Sequence, residues 1–172
     1  MKRKKLYIGK YIPMILLLIS LLALGSIWMF TREKRDEAKL LDTLETLAED
    51  LSKNPNESAA AALIKVKSAA SAFAYPADIA MGKYVAGSYD EEKMLASIGR
   101  YRSFIKTAKI SVNDPEIVTI QENYAQIIFS GKFSGTTKNS LSETVINDVT
   151  VDFIRLNGQW KIKSARFSQV LH

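Results

Sequence analysis

The sequence predicts an α+β fold behind one N-terminal transmembrane helix, and three observations carry that expectation. Residues 11–30, YIPMILLLISLLALGSIWMF, contain no charged side chain. Three helical patterns follow, ending near Lys109. From Ile110 the pattern turns extended and remains so to about residue 169, as an antiparallel sheet with one covered face requires.

A helix over residues 11–30 spans roughly 30 Å of hydrocarbon. Pro13 falls in its first turn, where a missing N–H costs little, and Tyr11 and Trp28 lie near its ends, as interfacial aromatics do. Lys2, Arg3, Lys4, Lys5 and Lys10 precede it, whereas the following TREKRDE balances three bases with three acids. That bias predicts a single-pass protein of the bacterial inner (cytoplasmic) membrane, N-terminus inside, with a periplasmic or extracellular domain. The competing reading is a cleaved signal peptide processed at Ala23-Leu24-Gly25, which the continuing run Ile27-Trp28-Met29-Phe30 argues against. The organisation read from the chain is a basic tail at 1–10, the span at 11–30, a membrane-proximal amphipathic helix at 31–56 that opens the domain, and its remainder at 57–172.

The formal charge of +6 does not indicate nucleic acid. Five of the 24 basic residues sit before the apolar run, and those remaining are nearly balanced by 18 acidic ones, with no basic block. The chain has no cysteine, which excludes a disulfide framework, a thiol nucleophile and cysteine-ligated metal.

The first soluble helix, over 33–53, repeats Leu40, Leu44, Leu47 and Leu51 on one stripe, widened by Leu41 and Ala48. Asn54-Pro55-Asn56 ends it. The second, over 57–74, is alanine-rich, with Leu63, Val66, Ala70 and Phe73 on its expected inner side; Pro76 stops it. Residues 77–88 read as a short helix or irregular segment. Ser88 or Asp90 caps the third helix, which carries Met94, Ile98, Tyr101 and Ile105 on one face. Strands are expected at 110–113, 116–121, 124–134, 143–156 and 159–169. Ala125, Ile127, Phe129 and Phe133 share one parity, as do Val145, Val149, Val151 and Phe153 on the next strand. Asn157-Gly158 is a two-residue hairpin turn, and GTTKNSLS at 135–142 a longer hairpin loop.

The segment VNDPEIVTIQENYAQIIFSGKFSG and the later VTVDFIRLNGQWKIKSARF resemble the nuclear-transport-factor-2-like (cystatin-like cone) superfamily. The NDPEI…ENYAQI strand pair and the NGQWKI hairpin carry the resemblance, which with the helices covers roughly residues 34–169. It implies a bent sheet wrapped around helices to leave a conical cavity. The superfamily contains isomerases, dehydratases, hydrolases, transport adaptors and non-catalytic domains, so fold alone does not name a chemistry. Tail, span and exported cone also make a partial analogy to the VirB8-like component of type IV secretion, without a diagnostic motif.

Cone enzymes place an acid/base group in the cavity. The only histidine here is the terminal His172, no His/Asp/Glu cluster has metal-ligand spacing, and the serines lack a histidine partner. Residues able to line a cavity are Tyr84, Arg100, Tyr101, Asn147 and Arg166. Asn147 has the apolar parity of Val145 and Val149, and Arg166 that of Trp160 and Ile162. Asp148 and Asp152, about 13 Å apart along a strand, read as a solvated face. The expectation is therefore a non-enzymatic envelope protein without cofactor, whose exported domain is an interaction or assembly module with a protein partner or a second copy. The alternative is a small-molecule binder or isomerase-like enzyme using the cone cavity.

Overall fold

The structure, a computed structural model, describes residues 12–82 and 85–167, with side chains from residue 32 onward. Cα packing divides the chain into two units, Met1–Asp36 and Glu37–His172. Helix α1 comprises Ile12–Leu51, and α2 comprises Ala59–Ser71. The hairpin β1 (Phe73–Met81) and β2 (Val85–Tyr89) leads to α3 (Glu91–Phe104). Four long strands complete the chain: β3 (Ile105–Ile120), β4 (Tyr124–Thr137), β5 (Ser142–Leu156) and β6 (Gln159–Phe167). Among the described residues no helix is long and apolar enough to cross a membrane. The expected span at 11–30 rests on side chains outside the described residues, as do the Gly25 processing site, Tyr84 and His172.

The strands form one six-stranded sheet in the order β2-β1-β6-β5-β4-β3. All neighbours are antiparallel except β1 and β6, which run parallel. One face carries Ala77, Ile79, Ala125, Ile127, Val149, Val151, Phe153, Trp160, Ile162 and Ala165, and these pack with Leu40 and Leu44 of α1, Ala69 and Ala70 of α2, and Met94 and Ile98 of α3. Phe153, Leu40, Ile127 and Ile162 are the largest side chains wholly removed from water. Each stabilises the fold by about 1.5–3 kcal/mol through apolar burial. The heptad-like stripe of α1 thus does what its spacing predicts.

Local chemistry explains the element ends. Ser58 caps α2 by accepting a hydrogen bond from the Ala61 amide, and the Asp90 carboxylate accepts one from the Lys93 amide at the start of α3. Asn157 and Gly158 both have positive φ, 51° and 78°, the signature of the tight turn expected between β5 and β6.

Five expectations are corrected. Residues 77–88 are not helical: Ala77 and Ile79 are buried while Asp78 and Ala80 are exposed, a period of two that makes β1, and β2 pairs with it. The third helix stops at Phe104, where Ile105 turns extended and enters β3. The two strands expected at 110–121 are one, which passes Pro115 by a register shift between Asn113 and Glu116, with Asp114 at positive φ. Finally, Leu63 is 56% exposed and the inner side of α2 is Ala69 and Ala70, while on α3 Arg102 occupies the buried position expected for Tyr101.

Candidate functional site

Two polar centres stand out, one on each side of the sheet. The first lies where α1 ends beside α3. Arg102 is 4% exposed. Its Nη1 donates to the carbonyls of Asp50 (2.6 Å) and Ser52 (3.0 Å), and its Nη2 to the Glu57 carboxylate. Lys65 Nζ lies 3.3 Å from the other Glu57 oxygen. Burial alone would raise the Glu57 carboxyl, but the hydrogen bonds and charges of Arg102 and Lys65 outweigh it and hold the group below its usual range.

Three polar atoms on residues of these helix ends are shut away from water without a hydrogen-bond partner among the described residues: the Tyr101 hydroxyl, Asp50 Oδ2 and Arg102 Nε. Burial pushes the Tyr101 phenol up to about 12, against the opposing positive charge of Arg102. At neutral pH it is, like any phenol, a neutral donor, and it has no acceptor among the described residues. Buried polar groups are nearly always satisfied, so such orphans are the kind of feature a bound ligand or water completes. Trp160 Nε1, on the helix-covered side of β6 with the Arg155 guanidinium 4.4 Å above its ring, is a further buried donor without a partner.

The second centre is on the opposite face. Asp152 there accepts hydrogen bonds from Tyr124 Oη (2.9 Å), Gln126 Nε2 (2.6 Å), Ser164 Oγ (2.5 Å) and Arg166 Nη1 (2.6 Å). Burial would raise its carboxyl; the four donors, Ser164 foremost, overcome this and bring it down to about 2. The Tyr124 phenol is raised by its own burial and then by Asp152. A carboxylate so fully engaged is a poor base and a good clamp for its neighbours. Reading Asp152 as a solvated residue is thus corrected.

What re-aimed these residues is a β-bulge. Asp152 pairs with Ser164 but Phe153 pairs with Ile162, so Lys163 has no partner on β5. The extra residue reverses the alternation beyond it. Ala165 turns into the core, and Ser164 and Arg166 turn out. Arg166 therefore lies across the sheet from the cavity it was expected to line.

Of the other cavity candidates, Asn147 lies half-buried on the helix-facing parity of β5, opposite Gly131, and Arg100 is exposed on α3. Tyr101 combines partial burial with an enclosed hydroxyl, and no hydrogen bond joins it to Asn147. Asp50 went unnoticed in the sequence, because its position beside Arg102 depends on how α1 and α3 pack. Among the described residues no group of three or more histidines or carboxylates is placed to hold a metal ion.

The same order of elements appears in solved structures. A protein assigned as a scytalone dehydratase from Novosphingobium aromaticivorans DSM 12444 is 10% identical, over 80% of this chain and 83% of that one, with a TM-score of 0.60. Hexachlorocyclohexane dehydrochlorinases of the LinA type also match; that of Novosphingobium barchaimii LL02 is 13% identical over 79% of this chain and 87% of its own, with a TM-score of 0.65. A protein assigned as an aromatic ring hydroxylase from Novosphingobium aromaticivorans is 11% identical over 80% and 91%, with a TM-score of 0.66. The fold is the nuclear-transport-factor-2-like cone. No protein-family model and no curated protein matches the sequence.

These likenesses overturn one expectation. The absence of a histidine or metal cluster was read as the mark of a non-enzyme, yet the same cone carries a dehydrochlorinase and a protein assigned as a dehydratase. Lacking one familiar catalytic set does not make this cone non-catalytic. Nothing in the likenesses supports the type IV secretion layout.

Proposed function

We propose that the cone is a small-molecule site, either a binding pocket or the seat of isomerase- or lyase-type acid–base chemistry. One observation carries this reading: the enclosed Tyr101 hydroxyl, without an acceptor among the described residues. A neutral buried donor is suited to hold a carbonyl or another uncharged acceptor, and to stabilise negative charge developing on it. Asp50 Oδ2, equally enclosed and unpartnered, is the acceptor that proton movement in the other direction requires. The Arg102–Glu57 pair positions both, because Arg102 grips the Asp50 carbonyl and directly follows Tyr101. The dehydratase and dehydrochlorinase assignments of similar cones favour the same class.

The test is a panel of small cyclic carbonyl compounds screened by thermal stabilisation of the full chain, followed by proton exchange into the same compounds in deuterated water. A hit that vanishes in Tyr101→Phe, with folding intact, supports the reading. A panel that never stabilises the protein, or hits unaffected by Tyr101→Phe, defeats it.

The location belongs to the same proposal: residues 11–30 hold the cone at the membrane, with the lysine-rich tail inside and the domain outside. The apolar run and the charge bias support this. A reporter fused after residue 172 that proved active only in the cytoplasm would contradict it.

A further inference from the structure

On the face away from the helices, β1, β2 and β6 enclose a groove of about 320 Å³. Its polar lining consists of Asp78 and Ser88 on one side and Ser164 and Arg166 on the other, over a floor that includes Ile79, Ala80 and Ala165. Asp78 pairs with Ser164, and Ala80 with Arg166, so Asp78 and Arg166 are offset by two residues along adjacent strands. At about 3.3 Å per residue and 4.8 Å between strands, their backbones stand roughly 8 Å apart.

The two charges do not neutralise each other. Arg166 gives Nη1 to Asp152, and its Nη2 and Nε edges have no other hydrogen-bond partner among the described residues. Asp78 takes part in no ion pair there and is exposed. Asp152 thus holds the guanidinium through Nη1, and Arg166 lines the groove with Nη2 and Nε unengaged among the described residues. An anchored guanidinium with a free edge recognises a carboxylate by paired hydrogen bonds.

We propose that this groove is a second ligand site, for a small zwitterion of the α-amino-acid class, its carboxylate on Arg166 and its ammonium on Asp78. Charge selects for that class. Asp78 and Asp152 repel a simple anion approaching Arg166, and Arg166 repels a simple cation approaching Asp78. A ligand carrying both charges a few ångströms apart meets each with its complement. Ser88 and Ser164 supply hydroxyls alongside, and the small floor residues leave room for a short side chain. This site is separate from the cone and does not depend on the cone reading.

The experiment is equilibrium dialysis of the full chain against radiolabelled L-alanine at constant ionic strength, with acetate and methylammonium as competitors. Saturable alanine binding that neither competitor displaces at equal concentration is the expected result. Asp78→Asn, which leaves the Asp152 network untouched, is expected to weaken binding at least tenfold, and Arg166→Gln at least as much. The proposal is overturned if alanine does not bind saturably, if acetate displaces it equally well, or if Asp78→Asn binds as wild type does.

Discussion

Lys53 and Arg102 close each other's helices. Lys53 Nζ donates to the carbonyls of Arg102 (2.6 Å) and Ile105 (2.8 Å) at the end of α3, while Arg102 Nη1 donates to those of Asp50 and Ser52 at the end of α1. Each cation satisfies carbonyls that a helix terminus leaves without intrahelical partners. Lys53 is also bridged to Ala108 by two backbone hydrogen bonds, which ties the same corner to β3.

Arg102→Met is therefore expected to cost about 2–4 kcal/mol in urea unfolding, because it leaves the Glu57 carboxylate, whose side chain is 6% exposed, with Lys65 as its remaining cation. Adding Glu57→Gln to Arg102→Met should recover part of that loss. Strictly additive effects in the double variant would mean that the pair is not coupled.

Asp152 predicts a pH dependence on the acid side. Its carboxyl lies at about 2 in the folded protein against an ordinary 3.8, so it favours folding above the ordinary value and loses that contribution as pH falls through 2. Asp152→Asn should lower stability by about 1–2 kcal/mol at pH 7, discounted for partial solvent screening. The gap from wild type should narrow between pH 4 and pH 2. Chemical denaturation across that range measures it; a gap that widened toward acid would carry the wrong sign.

Tyr101→Phe should behave unlike most buried Tyr→Phe changes. The hydroxyl has no partner to lose, so stability is expected to stay level or rise by up to about 1 kcal/mol. A loss above 1 kcal/mol in urea unfolding would reveal a partner within the protein. In ultraviolet titration, the variant should have one phenol fewer ionising near pH 12, where burial also places Tyr75.

Gly135 marks a close approach on β4. A β-carbon there would stand 2.6 Å from Phe133 Cζ and 2.9 Å from the Thr107 carbonyl oxygen. Gly135→Ala is expected to cost about 1–3 kcal/mol, since the backbone oxygen cannot yield as a side chain can. Gly158→Ala, with open space around its β-carbon, should cost less despite its positive φ, and comparison of the two melting curves separates crowding from turn strain.

The legible parts of the fold were those governed by period. The leucine stripe of α1, the alternation of Val149, Val151 and Phe153, and the Asn157-Gly158 turn each encode their structure within a few residues. The illegible parts depended on contacts distant in sequence. Residues 77–88 read as irregular because the β1–β2 pair is short and gains its support from β6. Arg102 was not singled out in the sequence, because its burial depends on Glu57 and the carbonyls at the end of α1. Tyr101 was singled out by its residue type and its face on α3. Asp152 was passed over because Ser164 and Arg166 join it only through a bulge that alternation does not announce.

The unpaired Lys163 leaves a length of chain in which the division of labour between two surfaces is set by a count and not by chemistry. Loss of Lys163 would keep the present facing, whereas straightening the bulge so that Lys163 met a β5 partner would send Ser164 and Arg166 toward the helices and Ala165 outward. Neither surface would need a new residue type. The facing of these three residues is thus a matter of register at a single bulge, which comparing substitutions alone would overlook.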